Sequence, residues 1–131
     1  FGDDTNGHVD DITRFVNSDT VVTVVEKDKS DANYELLKDN VKRLKKAQIN
    51  IVELPMPKPV VFEGQRLPAS YANFLIANDI VLVPTFNDPA DRIALNIMAE
   101  LFPKRETIGI HAVDLVWGLG TIHCMSQQIP A

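Results

Sequence analysis

The order of predicted secondary-structure elements occurs twice along this 131-residue chain. Runs of β-branched residues and a helical apolar stripe predict strands at 12–16 and 20–25, a helix at about 31–47 and a strand at 49–54. The same order returns about 60 residues later, with strands at 73–77 and 80–84, a helix that begins at Pro89 and a strand at 107–113. A strand–strand–helix–strand unit that recurs predicts an α/β fold built from repeats, assembled radially or as a stack.

Both predicted helices carry an apolar stripe that suits packing on a sheet. The stripes comprise Tyr34, Leu37, Val41 and Leu44 in the first helix, and Ala94, Ile97, Met98 and Leu101 in the second. Asp88, followed by Pro89 and then Asp91, resembles a capping box and predicts the start of the second helix. Ordinary core packing explains these stripes, so neither helix suggests a cofactor site.

Composition and charge exclude several classes of function. The formal net charge of −5 argues against a nucleic-acid partner, because such proteins usually present a basic face. No apolar run approaches the roughly 18 residues of a membrane helix, so no membrane partner is expected. The single cysteine cannot form an internal disulfide, which favours a reducing compartment and a cytoplasmic location.

That single cysteine, Cys124, is the best candidate for a reactive group. Gly118 and Gly120 precede it and would let the main chain turn tightly or approach a ligand closely. A buried structural cysteine is the alternative, and it is the commonest fate of a lone cysteine. A cysteine with a histidine–aspartate pair far away in sequence is typical of a nucleophile assembled by the fold.

His8 and Asp10 provide that distant pair. Residues two apart in an extended segment point to the same side, so both side chains could line one site. With Asp4 and Asp11 nearby, the carboxylates could hold a cation, and a guanidinium would pair with them through two parallel hydrogen bonds. A solvated acidic loop is one alternative. A metal pair is another, although the chain lacks the close spacings typical of zinc ligands, so no metal is predicted.

Two further histidines are interpreted as structural. His111 lies in an apolar strand and is predicted to be a core residue. His123 adjoins Cys124, but neighbours along a strand point to opposite sides, so it is predicted to support the structure rather than share the site.

Five motifs together resemble the agmatine deiminase family, which belongs to the bacterial-type peptidylarginine deiminases. They are DDTNGHVDDITRFV at 3–16, ELPMP at 53–57, QRLPASYANFLIAN at 65–78, VPTFNDPADRIAL at 83–95 and DLVWGLGTIHCMSQQ at 114–128. The resemblance implies a five-bladed α/β propeller, or pentein, built from ββαβ units. About two units would be present here, at about 8–54 and 70–113, within a single catalytic domain.

The resemblance also implies a reaction. Agmatine and water would give N-carbamoylputrescine and ammonia, through a covalent thiouronium on the cysteine, as a step of putrescine synthesis that needs no cofactor. Cys124 matches the nucleophile, His8 the catalytic histidine and Asp10 a catalytic, guanidinium-binding carboxylate. Asp4 matches a further aspartate of the family, and Asp4, Gly118 and Gly120 are assigned to substrate binding.

One departure from the family pattern concerns the length of the chain. The family has an N-terminal half with a Trp-x-Arg-Asp stretch that supplies a second guanidinium-binding aspartate, and no such stretch occurs in residues 1–131. We therefore expect this chain to correspond to the last two-fifths of the enzyme. The alternatives are a peptidyl- or free-arginine deiminase, a piece that is inactive without the rest of the protein, and a cysteine peptidase. A homo-oligomer is left open.

Overall fold

A computed structural model describes residues 7–129 and shows two similar α/β units joined by a small hairpin. The first unit comprises β1 (Thr13–Phe15), β2 (Thr20–Val25), α1 (Tyr34–Lys46) and β3 (Asn50–Pro55). The hairpin consists of β4 (Val61–Phe62) and β5 (Gln65–Arg66). The second unit comprises β6 (Leu75–Ile76), β7 (Ile80–Thr85), α2 (Ala90–Leu101) and β8 (Glu106–His111). Two short 3₁₀ turns, Val9–Asp11 and Leu115–Gly118, complete the described elements.

The two units have the same strand topology. In each, the first two strands pair antiparallel and the third pairs parallel with the second, after a helical crossover. Val22 of β2 pairs with Val52 of β3, and Leu82 of β7 pairs with Ile108 of β8. The predicted α/β class and the twofold strand–strand–helix–strand order are confirmed. The predicted strand at 73–77 was too long, because Asn73 lies in an irregular segment before β6.

The core lies around the middle strand of each unit. Val21, Val22 and Val24 of β2 are at most 1% exposed, and Val81 and Val83 of β7 are fully buried. The predicted helix stripes pack toward these strands, with Leu37 of α1 and with Ala94 and Met98 of α2 buried. None of the described helices is both long enough and apolar enough to span a bilayer.

The predicted capping box at the start of α2 is present as a pair of reciprocal hydrogen bonds. The main-chain N–H of Ala90 donates to Asp88 Oδ1 at 2.8 Å, and the N–H of Asp88 donates to Asp91 Oδ2 at 3.1 Å. The hydroxyl of Tyr71 donates to Asp91 Oδ1 at 2.6 Å. Burial, together with this carboxylate, raises the pKa of Tyr71 above its usual range. The hydrogen bond between Tyr71 and Asp91 therefore anchors the first turn of α2 to the buried core.

A buried, irregular segment, residues 69–74, runs between the hairpin and β6. Its main-chain polar groups need partners away from water, because an unpaired buried group costs free energy. The hydroxyl of Ser70 donates to the carbonyl of Asp11 at 2.6 Å and accepts from the N–H of Ala72 at 3.1 Å. These bonds hold the Val9–Asp11 turn against the segment, which places the acidic residues of that turn beside Asn73.

Candidate active site around Cys124

Three parts of the chain that are distant in sequence meet at Cys124. They are the Val9–Asp11 turn, the buried segment 69–74 and a turn at 122–125. Asp10 comes from the first, Asn73 from the second and Cys124 from the third. The predicted proximity of Asp10 and Cys124 is therefore found in the structure.

Asp10 contacts both the imidazole of His123 and the thiol. Its Oδ2 lies 2.7 Å from His123 Nδ1 and 3.4 Å from Cys124 Sγ. Burial raises the pKa of Asp10, but the hydrogen bonds from His123 and Cys124 outweigh burial, so the pKa falls below its ordinary value. Asp10 is therefore a carboxylate near neutral pH, and the Nδ1–H of His123 donates to it.

Asn73 organises the turn that carries the thiol, and the sequence analysis did not identify it. Asn73 is fully buried. Its Oδ1 accepts from the main-chain N–H groups of Thr121 at 3.2 Å, His123 at 3.0 Å and Cys124 at 3.2 Å. It also accepts from the hydroxyl of Thr121 at 2.9 Å. Because main-chain N–H groups can only donate, they fix which end of the amide faces the turn.

The other end of the same amide reaches the reactive groups. Its Nδ2 donates to Cys124 Sγ at 2.9 Å and to Asp11 Oδ1 at 2.8 Å, with a longer contact of 3.4 Å to Asp10 Oδ2. One buried side chain therefore links the thiol to both carboxylates.

The surroundings of Cys124 hold its thiol protonated in this state. Partial burial is the largest effect, and it raises the pKa above the ordinary 9.0. The negative charges of Asp11 and Asp10 raise it further, while the hydrogen bond from Asn73 acts in the opposite direction. A cation placed against these carboxylates would cancel their repulsion and favour the thiolate.

Gly120 is required by the close approach of the main chain to Cys124. A Cβ at position 120 would lie 2.5 Å from Cys124 Cβ and 2.9 Å from its Sγ, closer than side-chain atoms can pack. At Gly118, by contrast, a Cβ would meet no atom within 4 Å. The structure thus gives a steric reason for glycine at position 120 and none for glycine at position 118.

His8 and His123 occupy different environments. His8 is exposed, and its imidazole makes no hydrogen bond with any part of the chain that the structure describes. His123 does share the site with Cys124, and the reason given for separating them was wrong. The two residues lie in a turn rather than in a strand, so adjacent side chains both reach Asp10.

Two other predicted residues are not found at the site. His111 is exposed at the end of β8, so the prediction of a core histidine was wrong; β8 is an edge strand with a largely exposed C-terminal half. Asp4 lies outside the described residues.

The ligand atoms of Asp10, Asp11 and Cys124 all lie within 4.8 Å of one another. Such a cluster could hold a metal ion or an organic cation. A cavity of about 730 Å³ lies beside it, lined in part by Asp11, Ser70, Arg66 and Leu37. Asp10 and Cys124 are not among the residues that line this cavity, so the thiol opens to the surface instead.

The family model of the Porphyromonas-type peptidyl-arginine deiminases matches residues 1–130. A curated relative from Latilactobacillus sakei, provisionally named an agmatine deiminase, is 37% identical over 98% of this chain and 42% of its own length. The chain thus spans about two-fifths of the curated relatives that it matches.

Solved structures show the same similarity in three dimensions. A crystal structure from Porphyromonas gingivalis, provisionally named an arginine deiminase, has a TM-score of 0.96 and 44% identity, covering 98% of this chain and 40% of that one. A C. jejuni agmatine deiminase, a cysteine-to-serine variant with substrate bound, has a TM-score of 0.90 and 34% identity, covering 93% of this chain and 37% of that one.

Proposed function

This chain belongs to the Porphyromonas-type peptidyl-arginine deiminase family, and we propose that it carries the nucleophile of an enzyme that hydrolyses agmatine to N-carbamoylputrescine and ammonia. The observation that carries the proposal is the position of the Cys124 thiol, hydrogen-bonded to Asp10 and linked through Asn73 to Asp11. Two carboxylates beside one nucleophile suit a cationic substrate with an electrophilic centre. A guanidinium has both properties.

The carboxylates would bind and orient the substrate. A guanidinium stays charged near neutral pH and presents its N–H groups in one plane, so Asp10 could accept from it. Holding the central carbon next to Cys124 Sγ converts a bimolecular encounter into an oriented one, which can lower the barrier by several kcal/mol, on the order of 7. The bound cation would also lower the pKa of the thiol, because it offsets the charges of Asp10 and Asp11.

The reaction then proceeds in two balanced steps. The Cys124 thiolate forms a C–S bond to the central carbon, and one C–N bond breaks as the nitrogen takes a proton and leaves as ammonia. This gives a thiouronium on Cys124. Water, losing a proton to a base, attacks the same carbon, and the C–S bond breaks to give the ureido product and the free cysteine. No change of oxidation state occurs, so the route needs no redox cofactor.

We assign both proton transfers to His8. An imidazole can donate a proton to the departing nitrogen, which leaves as ammonia, and later accept a proton from water. The exposed position of His8 next to the Val9–Asp11 turn leaves it accessible to a bound substrate. His123 is the second candidate, since its Nδ1 lies 2.7 Å from Asp10. We favour a supporting role for His123, in which it keeps Asp10 ionised and oriented.

The rest of the enzyme is expected to complete the site. We propose that the two units seen here are blades of a five-bladed propeller, and that another part of the protein supplies a second carboxylate for the guanidinium. A guanidinium held from one side alone, by Asp10 with Asp11 nearby, would sit loosely, and a misplacement of about 1 Å can cost roughly 100-fold in rate. The isolated 131-residue chain should therefore be inactive on agmatine and prone to associate through the open edges of strands β3 and β8.

Substrate choice is tested directly by assay. The full-length gene product should release ammonia from agmatine, and more slowly from free arginine or from an arginine-containing peptide. A preference for the peptide or for arginine would select the alternative deiminase, consistent with the name of the P. gingivalis protein. Peptide cleavage without ammonia release would instead indicate a cysteine peptidase and overturn the proposal.

A further inference from the structure

Arg14 of β1 binds the main chain on both sides of Asn73. Its Nη1 donates to the carbonyl oxygen of Phe74 and makes a longer contact, 3.5 Å, with the carbonyl oxygen of Ala72. The guanidinium also lies over the ring of Phe74, with its central carbon 4.4 Å from the ring centre. None of these contacts involves the substrate site directly. The two carbonyl groups, however, lie on either side of Asn73, the residue that positions Cys124.

The carbonyl groups of Ala72 and Phe74 belong to the buried segment 69–74, where each needs a donor. The terminal nitrogen Nη1 carries two N–H groups, so it can reach both carbonyls while the flat guanidinium stacks on the Phe74 ring. A lysine could keep the charge but not the planar group that stacks on Phe74. The position of the Asn73 amide, and through it the turn that carries the thiol, therefore depends on Arg14.

Arg14 also contributes a permanent positive charge. Burial lowers its pKa, while the negative charges of Asp10 and of the Cys124 thiolate raise it, so Arg14 lies within electrostatic reach of both. The attraction is mutual, and a positive charge on β1 favours the ionised form of the thiol. The other charged or titratable groups that face the thiol are Asp10 and Asp11 of the 3₁₀ turn and His123 of the Cys124 turn.

We propose that Arg14 is a positioning residue for the deimination reaction, which fixes the Asn73 segment through its two main-chain contacts and supplies the cation that favours the Cys124 thiolate. This inference rests on the function proposed above. It assigns Arg14 two separable properties, its charge and its planar guanidinium; Arg14→Gln removes both, and Arg14→Lys removes only the second.

The experiment uses three variants of the full-length gene product: Arg14→Gln, Arg14→Lys and the control Arg105→Gln. Arg105 is a matched control because its Nε donates to the carbonyl of Ala77 at 3.0 Å and its guanidinium lies 5.7 Å from the ring centre of Phe102. It thus has the same kinds of contact without a link to Asn73. The rate of iodoacetamide alkylation of Cys124 is measured against pH, along with kcat and KM for ammonia release and the melting temperature.

Arg14→Gln should raise the pH at half-maximal alkylation by about half a unit or more, because a stabilising cation is lost. Its kcat should fall about tenfold or more with little change in KM, because a displaced nucleophile slows chemistry more than binding. Arg14→Lys should keep the wild-type alkylation midpoint while losing part of kcat, and Arg105→Gln should match wild type in both.

Two results would overturn the inference. One is an Arg14→Gln variant with wild-type alkylation and kcat. The other is a shift in the alkylation midpoint of Arg14→Lys as large as that of Arg14→Gln, which would indicate a purely structural role. If Arg14→Gln fails to fold, the midpoint of Arg14→Lys alone decides. Absence of ammonia release from wild type would reject the proposed function, but the alkylation profiles would still test Arg14.

Discussion

The side-chain Nδ2 of Asn73 donates to Cys124 Sγ at 2.9 Å, while the side-chain Oδ1 of Asn73 accepts from the main-chain N–H of Cys124 at 3.2 Å. One buried side chain therefore fixes both where the thiol lies and which partner it faces. Rate, thiol ionisation and local stability should all depend on this pair.

Replacing Asn73 by alanine tests that dependence. Asn73→Ala would leave the main-chain N–H groups of Thr121 and Cys124 without their acceptor, whereas the N–H of His123 keeps the main-chain carbonyl of residue 73. We expect a loss of about 2 kcal/mol or more in the free energy of unfolding, measured by urea titration. The rate of ammonia release should fall about 100-fold, since the nucleophile is no longer held. The exposed helix residue Asn96 supplies the control. Asn96→Ala should change stability by less than about 0.5 kcal/mol, and equal effects at the two positions would contradict the assignment.

The two glycines before Cys124 make a second comparison. A methyl group at position 120 would collide with Cys124, whereas one at position 118 would meet open space. Gly120→Ala should therefore reduce kcat by about 100-fold, while Gly118→Ala should keep it within about threefold of wild type. Steady-state ammonia release measures both. Similar losses in the two variants would show that the steric argument is wrong.

The dependence of alkylation on pH tests the electrostatics of the thiol. Asp10 and Asp11 raise the pKa of Cys124, so removing one charge must lower it. Asp10→Asn should therefore shift the iodoacetamide profile to lower pH than wild type, even though substrate binding is lost. Asp79, in the exposed turn before β7, is the control. An unchanged or higher midpoint in Asp10→Asn would contradict the sign of the effect.

Substitution of each histidine separates the two candidate proton donors. His8→Ala should abolish turnover at neutral pH, because both proton transfers need its imidazole. His123→Ala should retain measurable turnover, with weaker substrate binding as Asp10 loses its partner. Kinetic assays of ammonia release distinguish the two outcomes. Full turnover in His8→Ala together with none in His123→Ala would transfer the acid–base role to His123.

Local structure in this chain follows from its sequence more directly than the contacts at the site do. The apolar stripes identified α1 and α2 because each helix buries one face, and the β-branched runs identified the central strands because these are covered on both sides. The pairing of Asp10 with Cys124 rested on the residue types expected around a cysteine nucleophile and on the motif resemblance. No local pattern could have supplied it, since 114 positions separate the residues.

Asn73 illustrates why the other contacts at the site could not be predicted from the sequence. In the run YANFLIAN, Asn73 looks like a polar interruption of a strand. Its structural role depends on N–H donors from a part of the chain about 50 positions away. A single polar residue inside an otherwise buried apolar run is the signal that could have been used, because such a residue must find partners. His123 differs from its prediction for a related reason. The alternation of side chains along a strand does not apply to residues 122–125, because they form a turn.

The most direct test of the central claim is the fate of Cys124 during turnover. Full-length enzyme mixed with agmatine, quenched in acid and digested, should yield a thiouronium adduct on the peptide that contains Cys124. Cys124→Ser should form no such adduct and should lose several orders of magnitude in ammonia release. A variant that keeps more than about a tenth of wild-type turnover, a difference of only about 1.4 kcal/mol in the barrier, would contradict Cys124 as the nucleophile.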